Sequence, residues 1–239
     1  MISSNAENND TKASLKSANL ELITTGDGSS SLLDTELNDF YHSTKGAIGE
    51  SMHVYIEQGL DYFIKRDPSC KHIKILEIGF GTGLNALLVL NWGQDNSYLV
   101  DYESLETHPL PAAIYTQLQF KNWSKNVAKI HQCEWGVTHN INEVFKLTKH
   151  RASLEKFKQI ASHYDIIFFD AFSPSKQPDI WHQSNLKKCF TSLKKNGILV
   201  TYCAQGQFKR DLIEVGFEIE TLPGAMGKWF EPKRLLRKI

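Results

Sequence analysis

The sequence predicts a Rossmann-like α/β fold with a mostly parallel sheet of seven strands, a terminal antiparallel hairpin and an N-terminal extension. Three observations lead to this prediction. An apolar run from Ile73 enters a glycine loop and continues as a helix whose leucines recur at helical spacing up to Leu90. Strand-like and helix-like segments alternate after this loop. The last two strand-like segments, 217–222 and 234–238, have no helix-like segment between them, which is typical of a hairpin.

The chain of 239 residues is long enough for one substantial α/β domain with a short appendage. Residues 1–19 are polar, which predicts a disordered tail. Residues 20–72 are predicted to form an N-terminal extension that packs on the core, with a hairpin at the turn sequence G-D-G and a helix from Val54 to Ile64. The Rossmann-like domain is predicted to occupy residues 73–239.

A glycine loop follows the first strand of this domain, where Gly79, Gly81 and Gly83 alternate with larger residues. Such glycines let a ligand approach the backbone, and the following helix N-terminus offers free N–H groups, which predicts a site for a nucleotide-like ligand. The dinucleotide fingerprint requires a further glycine where this chain has Leu84. Glu77 would repel a pyrophosphate but attract the ammonium group of S-adenosyl-L-methionine. The loop therefore favours S-adenosyl-L-methionine over NAD, and a class I methyltransferase over a dehydrogenase.

Two more side chains complete the predicted cofactor site. Glu106 ends the next predicted strand, about twenty residues beyond the loop, where an acid can hold the ribose hydroxyls. Asn85 follows the loop directly, at the start of the helix. The alternatives are a purely structural glycine turn and a solvated carboxylate at the end of a strand.

The remaining elements follow in order along the chain. The predicted strands are Tyr98–Leu105, Val127–His131, Tyr164–Phe169 and Ile198–Tyr202. The predicted helices are one that starts within 111–118, one or two within Asn142–Ala161, and those at Leu186–Leu193 and Gly206–Val215.

Asp170 ends the apolar strand 164–169, and the carboxyl ends of strands are where open α/β sheets bind ligands. We therefore expect Asp170 to stand opposite the glycine loop, as the candidate catalytic residue. Phe172 and Trp181 lie in the loop that follows, where an aromatic face could stack on a base, and Lys176 is a substrate-binding candidate in the same loop. The alternatives are a capping aspartate and aromatic rings that only cover the edge of the sheet.

Charge and composition constrain the other possibilities. Basic and acidic residues are equal at 27 each, but from Ala171 onward 12 Lys and Arg stand against 6 Asp and Glu. This basic third could face a polyanion or be a solvated surface. The four cysteines lack metal-ligand spacing, which predicts no metal site. The polar N-terminus and the lack of an eighteen-residue apolar run predict a cytoplasmic protein without a membrane segment.

Several short motifs recur in a family-specific order along the chain. They are D-G-S at 27–29, Y-H-S-x-x-G-A-x-x-E-S at 41–51, L-E-I-G-F-G-T-G-L-N at 76–85, E-T-H-P-L at 106–110, F-D-A-F-S-P at 169–174, T-Y-C-A-Q-G at 201–206 and P-G-x-x-G-K at 223–228. With these motifs the chain resembles the tRNA 5-methylaminomethyl-2-thiouridine methyltransferase family, over about residues 20–239. The resemblance is to the stand-alone MnmD type, which is similar to the methyltransferase half of the fused protein MnmC.

This resemblance implies methyl transfer from S-adenosyl-L-methionine to the 5-aminomethyl group of the modified wobble uridine in tRNA. It implies that Asp170 is the catalytic group and that a separate enzyme prepares the aminomethyl substrate. An alkyl amine is mostly protonated at neutral pH, with a pKa of about 10.4, so a carboxylate that draws off its proton is needed. Tyr41 and Ser51 are further candidates for the cofactor, and Gln205 and Lys228 for the substrate.

The chain departs from the family pattern in two places. In fused members of the family an aspartate contacts the adenine of the cofactor, but the corresponding segment here, W-G-V-T-H-N-I-N, has no acidic residue. The adenine contacts are therefore expected from the backbone of residues 135–137. The ending G-K-W-F-E-P-K-R differs from the shorter ending of the family. Two other functions remain as alternatives: methylation of a small-molecule or protein amine, and a non-catalytic cofactor-binding subunit of a modification complex. The zero net charge argues against tRNA as a substrate, because neutralisation of phosphates usually drives tRNA binding. The basic C-terminal third partly offsets this argument, since it offers positive charge for the phosphates.

Overall fold

The computed structural model describes residues 19–221 and 233–237. The tail predicted for residues 1–19 lies outside the described residues, except for Asn19. Lys228 and the whole motif 223–228 also lie outside them, so their predicted substrate role stays a prediction.

The N-terminal extension begins with a small antiparallel sheet. Its strands are β1 (Leu20–Thr24), β2 (Ser30–Asp34) and β3 (Asp39–Phe40). Strands β1 and β2 pair antiparallel around the G-D-G turn, with Leu22 opposite Leu32, so the predicted hairpin is confirmed.

The main sheet has eight strands within the described residues. They are β4 (His72–Ile78), β5 (Leu99–Leu105), β6 (Thr138–Asn140), β7 (Phe145–His150), β8 (Tyr164–Phe169), β9 (Leu193–Thr201), β10 (Phe217–Thr221) and β11 (Lys233–Arg237). Their spatial order is β10-β11-β9-β8-β4-β5-β7-β6. The five central strands run parallel, whereas β6 and the pair β10 and β11 run antiparallel to their neighbours. The mostly parallel α/β fold is thus confirmed.

Helices cover both faces of the main sheet, in agreement with the two apolar clusters that flank it. They are α1 (Ala47–Ser51), α2 (Tyr62–Arg66), α3 (Leu84–Asn96), α4 (Ala112–Tyr115), α5 (Val127–Gln132), α6 (Gln183–Ser192) and α7 (Gly206–Val215). A π-helical segment, Met52–Asp61, joins α1 to α2 without a break. Single turns of π-helix are rare in proteins and are frequent at functional sites, so this ten-residue segment is an unusual feature.

Two predicted elements are wrong. The segment 127–131 is helix α5 and not a strand, because Val127 and Ile130 are buried at helical spacing. The segment 142–161 contains strand β7 in place of the predicted helices. The inward positions of β7 are Phe145, Leu147 and Lys149, and the lysine in this series conceals the alternation that indicates a strand.

Lys149 is fully buried, although lysine side chains are almost never fully buried unless they are paired. Its Nζ donates a hydrogen bond to the backbone oxygen of His131 at 2.7 Å. It also lies 4.5 Å from the ring centroid of Trp135 and 5.3 Å from that of Phe80, in cation–π geometry. These contacts stabilise an inward lysine, and burial lowers its pKa to about 8.

Within the described ranges the main sheet has eight strands where seven were predicted: the predicted strand 127–131 is a helix, and β6 and β7 are additional. Strand β6 pairs antiparallel with β7 at the edge of the sheet. Its three residues, 138–140, alternate between exposed and half-buried side chains, so they carry no apolar pattern that could predict a strand.

The order of the strands defines where a ligand can bind. Strand β4 lies between β8 and β5, and all three run parallel. Their carboxyl ends therefore meet at one edge of the sheet. The residues that follow these three strands are Gly79, Glu106 and Asp170, so the topology brings the three predicted site segments together.

Candidate active site

A cavity of about 1110 Å³ opens at this edge of the sheet. Its walls come from the N-terminal extension, the glycine loop, Glu106, the segment 152–155 after β7, and the segment that begins at Asp170. Cavities of this size are typical of sites for small molecules and cofactors. Of the predicted site residues, eight line the cavity: Tyr41, Ser51, Gly79, Gly81, Asn85, Glu106, Asp170 and Phe172.

The glycine loop has a conformation that other residues rarely adopt. Gly79 has φ 96°, and its N–H donates to the backbone oxygen of Leu105 at 3.0 Å. A Cβ at Gly79 would lie 2.3 Å from the backbone oxygen of Asp170. Position 79 therefore requires a glycine, both because of its positive φ and because the residue after β8 lies so close.

Glu106 holds the loop from the side of β5. Its Oε2 accepts the N–H of Gly81 at 3.0 Å, and its Oε1 accepts the N–H of His108 at 2.7 Å. A carboxylate oxygen has two lone pairs, so each oxygen can accept a second hydrogen bond. Glu106 therefore remains able to bind a hydroxyl group of a ligand in the cavity.

Glu77 lies behind the cavity wall and does not line it. Only 1% of its surface is exposed, and it accepts hydrogen bonds from Ser104 Oγ at 2.7 Å and from Asn85 Nδ2 at 3.1 Å. Burial raises the pKa of Glu77 to about 8, although the hydrogen bonds from Ser104 and Asn85 lower it. Glu77 is thus mostly protonated at neutral pH, and it offers a ligand less negative charge than the sequence suggests.

Asn85 connects Glu77 to Asp170. Its Nδ2 donates to Glu77 Oε1 and also to Asp170 Oδ2, the latter at 2.7 Å. Burial raises the pKa of Asp170 to about 6, against the hydrogen bond from Asn85, which lowers it. A carboxylate with this pKa is ionised at pH 7 and can accept a proton from a donor bound in the cavity.

The N-terminal extension forms one wall of the cavity. Tyr41 meets Phe172 edge-on, with ring centroids 5.0 Å apart and an interplanar angle of 82°. His42 Nε2 and Thr82 Oγ1 lie 2.7 Å apart, which ties the extension to the glycine loop. Ser51 is buried and also lines the cavity. The extension thus holds Tyr41 and Ser51 against the segments that follow β4 and β8.

The structure does not bring every predicted residue to the cavity. Gly83 precedes helix α3 with φ 74°, and a Cβ there would meet Ile130 Cδ1 at 2.8 Å, so this glycine serves packing. Lys176 is half-buried and Gln205 is exposed just before α7, and neither lines the cavity. Their predicted roles in substrate binding stay predictions.

The predicted adenine contacts from residues 135–137 are also displaced. Residues 135–137 do not line the cavity. Strand β7 ends at His150, and residues shortly after this strand line the cavity instead. The wall at this point consists of residues 152–155. Ser153 Oγ in this wall is buried without a hydrogen-bond partner, which suits it to bind a polar atom of a ligand.

Among the polar residues of the cavity wall that sequence reasoning missed are Tyr55, Ser153 and Asn185. Tyr55 donates to Asp170, whereas Ser153 Oγ and Asn185 Oδ1 are buried without a hydrogen-bond partner. Tyr55 lies in the π-helical segment, where the sequence mixes apolar and polar residues. No signal in the sequence distinguishes these positions from packing residues.

The cavity residues fit a nucleoside that carries a charged tail. Glu106 provides acceptors for hydroxyl groups, the loop provides a close backbone approach, and Asp170 with Asn85 provides acceptors for a cationic group. Among the described residues, no group of three or more metal-ligating side chains is present. None of the helices in the described ranges has the length and apolar character that crossing a bilayer needs.

Comparison with known proteins gives a family match. A family model described as S-adenosyl-L-methionine-dependent methyltransferase matches residues 111–229. The chain is 27% identical over 204 residues to the tRNA 5-methylaminomethyl-2-thiouridine biosynthesis bifunctional protein MnmC of Cupriavidus necator. It is 28% identical over 201 residues to the protein of the same name from Ralstonia nicotianae. These matches cover 80% and 78% of this chain but 31% and 30% of the relatives, so the chain spans less than a third of their length.

Solved structures show the same fold. MNMC2 from Aquifex aeolicus superposes with a TM-score of 0.75 at 21% identity, covering 98% of this chain and 78% of that chain. Spermidine synthase from Thermotoga maritima superposes with a TM-score of 0.57 at 12% identity, covering 92% and 69%. Both agree with an α/β architecture around a mostly parallel sheet.

Proposed function

We propose that the chain is an S-adenosyl-L-methionine-dependent methyltransferase, as the family model that matches residues 111–229 indicates. We propose further that it methylates the 5-aminomethyl group of 5-aminomethyl-2-thiouridine at the wobble position of tRNA. The substrate is proposed from the relatives, whose name refers to the biosynthesis of 5-methylaminomethyl-2-thiouridine in tRNA. We also propose that a separate enzyme prepares the aminomethyl group.

The observation that carries this proposal is the half-buried carboxyl group of Asp170 at the cavity wall. An alkyl amine must lose a proton before its lone pair can react, and its ordinary pKa is about 10.4. Asp170 is ionised at neutral pH and lies at the end of β8, opposite the glycine loop. It would bind the ammonium group of the substrate, accept its proton and orient the nitrogen.

The cofactor supplies a methyl group already activated by its positively charged sulfur, so the protein chiefly positions the reacting groups. We propose that Glu106 holds the ribose hydroxyls and that Gly79 and Gly81 allow the close approach of the nucleoside. Tyr41 and Ser51 would close the cavity from the side of the extension. Glu77 would act through Asn85, which it holds in place from behind the wall.

The base of the substrate would enter beside Phe172. Its ring is held edge-on by Tyr41, in the segment that follows Asp170. Aromatic side chains stack on bases with about 1–3 kcal/mol each, independently of sequence. Phe172 is therefore proposed to position the modified uridine, with Lys176 on the same loop close to the phosphates.

The test uses tRNA that carries the unmethylated 5-aminomethyl nucleoside. The protein is incubated with this tRNA and S-adenosyl-L-methionine, and the digested nucleosides are analysed by mass spectrometry. We expect a gain of one methyl group on that nucleoside alone. A parallel reaction with free alkyl amines tests the alternative substrate class. Methylation of the free amines without methylation of the tRNA would contradict the proposal.

A further inference from the structure

Two buried polar atoms with free lone pairs adjoin Asp170 in the cavity wall. They are Tyr55 Oη and Asn85 Oδ1. Both residues are 2% exposed, and both line the cavity. Buried polar atoms are almost always paired, so the unpaired Asn85 Oδ1 and the free lone pairs of Tyr55 Oη indicate partners supplied by a ligand.

The orientation of the Asn85 amide is fixed by the two carboxyl groups. Its Nδ2 donates to Glu77 Oε1 and to Asp170 Oδ2. Turning the amide over would remove both bonds and place its oxygen against two acceptors. Asn85 therefore presents Oδ1 as a hydrogen-bond acceptor and has no further donor to offer.

Tyr55 reaches the cavity from the π-helical segment. Its ring packs on Phe168 with centroids 5.1 Å apart. Burial first, and then the charge of Asp170, raise the pKa of Tyr55 well above its usual value, so its hydroxyl group stays protonated. The hydroxyl group donates its hydrogen to Asp170, which leaves the lone pairs of Oη free to accept.

We propose that Tyr55 and Asn85 recognise the number of hydrogen atoms on the substrate nitrogen and thereby limit the reaction to one methyl group. This inference rests on the proposed function. A primary ammonium has three N–H groups: one gives its proton to Asp170, and the other two donate to Asn85 Oδ1 and Tyr55 Oη. The nitrogen lone pair then forms the new N–C bond as the C–S bond breaks, and its electron pair remains on sulfur. The product leaves as a secondary ammonium, and Asp170 releases its proton to solvent.

A second methylation is disfavoured by the same contacts. The methylated amine has one N–H fewer, so either Tyr55 Oη or Asn85 Oδ1 would be left buried without a partner. The added methyl group would also lie against that oxygen. A site built to pair with an N–H group rejects an analogue that lacks it, because the unpaired group costs free energy.

The test compares two tRNA substrates, one with the primary amine and one with the N-methyl amine. We expect the wild-type protein to prefer the primary amine by on the order of 100-fold in kcat/KM. Tyr55→Phe keeps the ring but removes the acceptor, so this preference should fall by about tenfold. Tyr164→Phe is the matched control, because Tyr164 is also buried and also donates to a carboxylate, that of Glu103, but does not line the cavity. An unchanged preference in Tyr55→Phe overturns the inference.

A binding measurement covers the case in which Tyr55→Phe does not fold. Fluorescence anisotropy of the two tRNAs with the wild-type protein and S-adenosylhomocysteine involves no reaction. The tRNA with the primary amine should bind about tenfold more tightly, and equal affinities overturn the inference. A wild-type protein that methylates neither tRNA contradicts the proposed function itself, whereas one that methylates both equally contradicts this inference alone.

Discussion

Asn85 donates a hydrogen bond to Asp170 across 2.7 Å, and this contact joins the start of α3 to the end of β8. It connects the glycine loop with the proposed catalytic carboxylate, which lies far away in the sequence. Burial raises the pKa of Asp170 to about 6, and the hydrogen bonds from Tyr55 and Asn85 oppose a further rise. Asn85 thus helps to keep Asp170 ionised at neutral pH, so the contact has consequences for the pH dependence of catalysis.

The wild-type reaction is predicted to require an ionised Asp170. Its kcat/KM should rise between about pH 5 and pH 7, with half of the plateau value near pH 6, because the protonated carboxyl group cannot accept the proton of the amine. Initial rates in buffers of constant ionic strength measure this profile. A rate that is independent of pH over this range would show that no group with the pKa of Asp170 takes part.

Asn85→Leu should shift the same profile to higher pH. The substitution removes a donor to Asp170, and without it the pKa of the buried carboxyl group rises further. Asn91→Leu on the same helix is the control, since Asn91 Nδ2 binds the backbone oxygen of Leu87 and does not line the cavity. An unshifted profile in Asn85→Leu would contradict the coupling between the two residues.

Glu77→Gln should stabilise the protein increasingly as the pH rises. The pKa of Glu77 is raised from 4.5 to about 8 in the folded state. The stability that Glu77 contributes is therefore fully present below pH 4.5 and is lost as the pH rises through 8. Glutamine cannot ionise, and it can pair with Ser104 and Asn85. By pH 9 the variant should exceed the wild type by at least about 1 kcal/mol, or about 2–4 °C in Tm.

Calorimetry at pH 5, 7 and 9 measures this difference, and Glu103→Gln is the control with the opposite sign. Although burial opposes it, the hydrogen bond and charge of His150 lower the pKa of Glu103. The contribution of Glu103 is therefore present above its ordinary pKa and lost as pH falls, so Glu103→Gln should destabilise the protein at neutral pH. A Glu77→Gln variant whose advantage does not grow with pH would rule out the buried neutral carboxyl group.

Gly79→Ala should destabilise the protein far more than Gly136→Ala. Both glycines have positive φ, at 96° and 80°, so both substitutions carry the strain of that conformation. A Cβ at Gly79 would lie 2.3 Å from the backbone oxygen of Asp170, whereas one at Gly136 would meet no atom within 4 Å. Chemical denaturation should show an additional loss of at least about 2 kcal/mol for Gly79→Ala. Equal losses would mean that the loop and the end of β8 are not packed this closely.

Phe172→Ala should weaken the binding of tRNA and leave cofactor binding intact. Removal of the ring that Tyr41 holds takes away one stacking surface, so KM for tRNA should rise by on the order of tenfold. Isothermal titration with S-adenosylhomocysteine should give a Kd close to that of the wild type. A changed cofactor Kd together with an unchanged KM would assign Phe172 to the cofactor and not to the substrate.

The sequence predicted the elements whose pattern is determined by burial alone. Strand 164–169 is a continuous apolar run and is buried at every position, and helix 206–215 ends at Gly216 with φ 111°. Their bounds agree with the predicted ones. Strand β7 was missed because Lys149 occupies an inward position, where only the carbonyl of His131 and two aromatic rings stabilise it. No local pattern reveals such a tertiary contact.

The candidate site was predictable only in part, for a related reason. Asp170, Glu106 and Gly79 follow three parallel strands, so topology alone brings them together. Tyr55 reaches the cavity from a π-helical segment, and the sequence does not indicate that geometry. Glu77 precedes the loop as predicted, but the side chain of Asn85 lies between it and the cavity.

The central claim is that Asp170 acts on the amine and not on the cofactor, and Asp170→Asn tests it most directly. Asparagine retains an oxygen for Asn85 but cannot accept a proton. Single-turnover methylation of 5-aminomethyl tRNA and titration with S-adenosylhomocysteine are measured for this variant, the wild type and the exposed control Asp95→Asn. We predict that methyl transfer falls by about 10²–10⁴-fold in Asp170→Asn while its cofactor Kd stays close to that of the wild type. Retained transfer, or loss of cofactor binding, would contradict the claim.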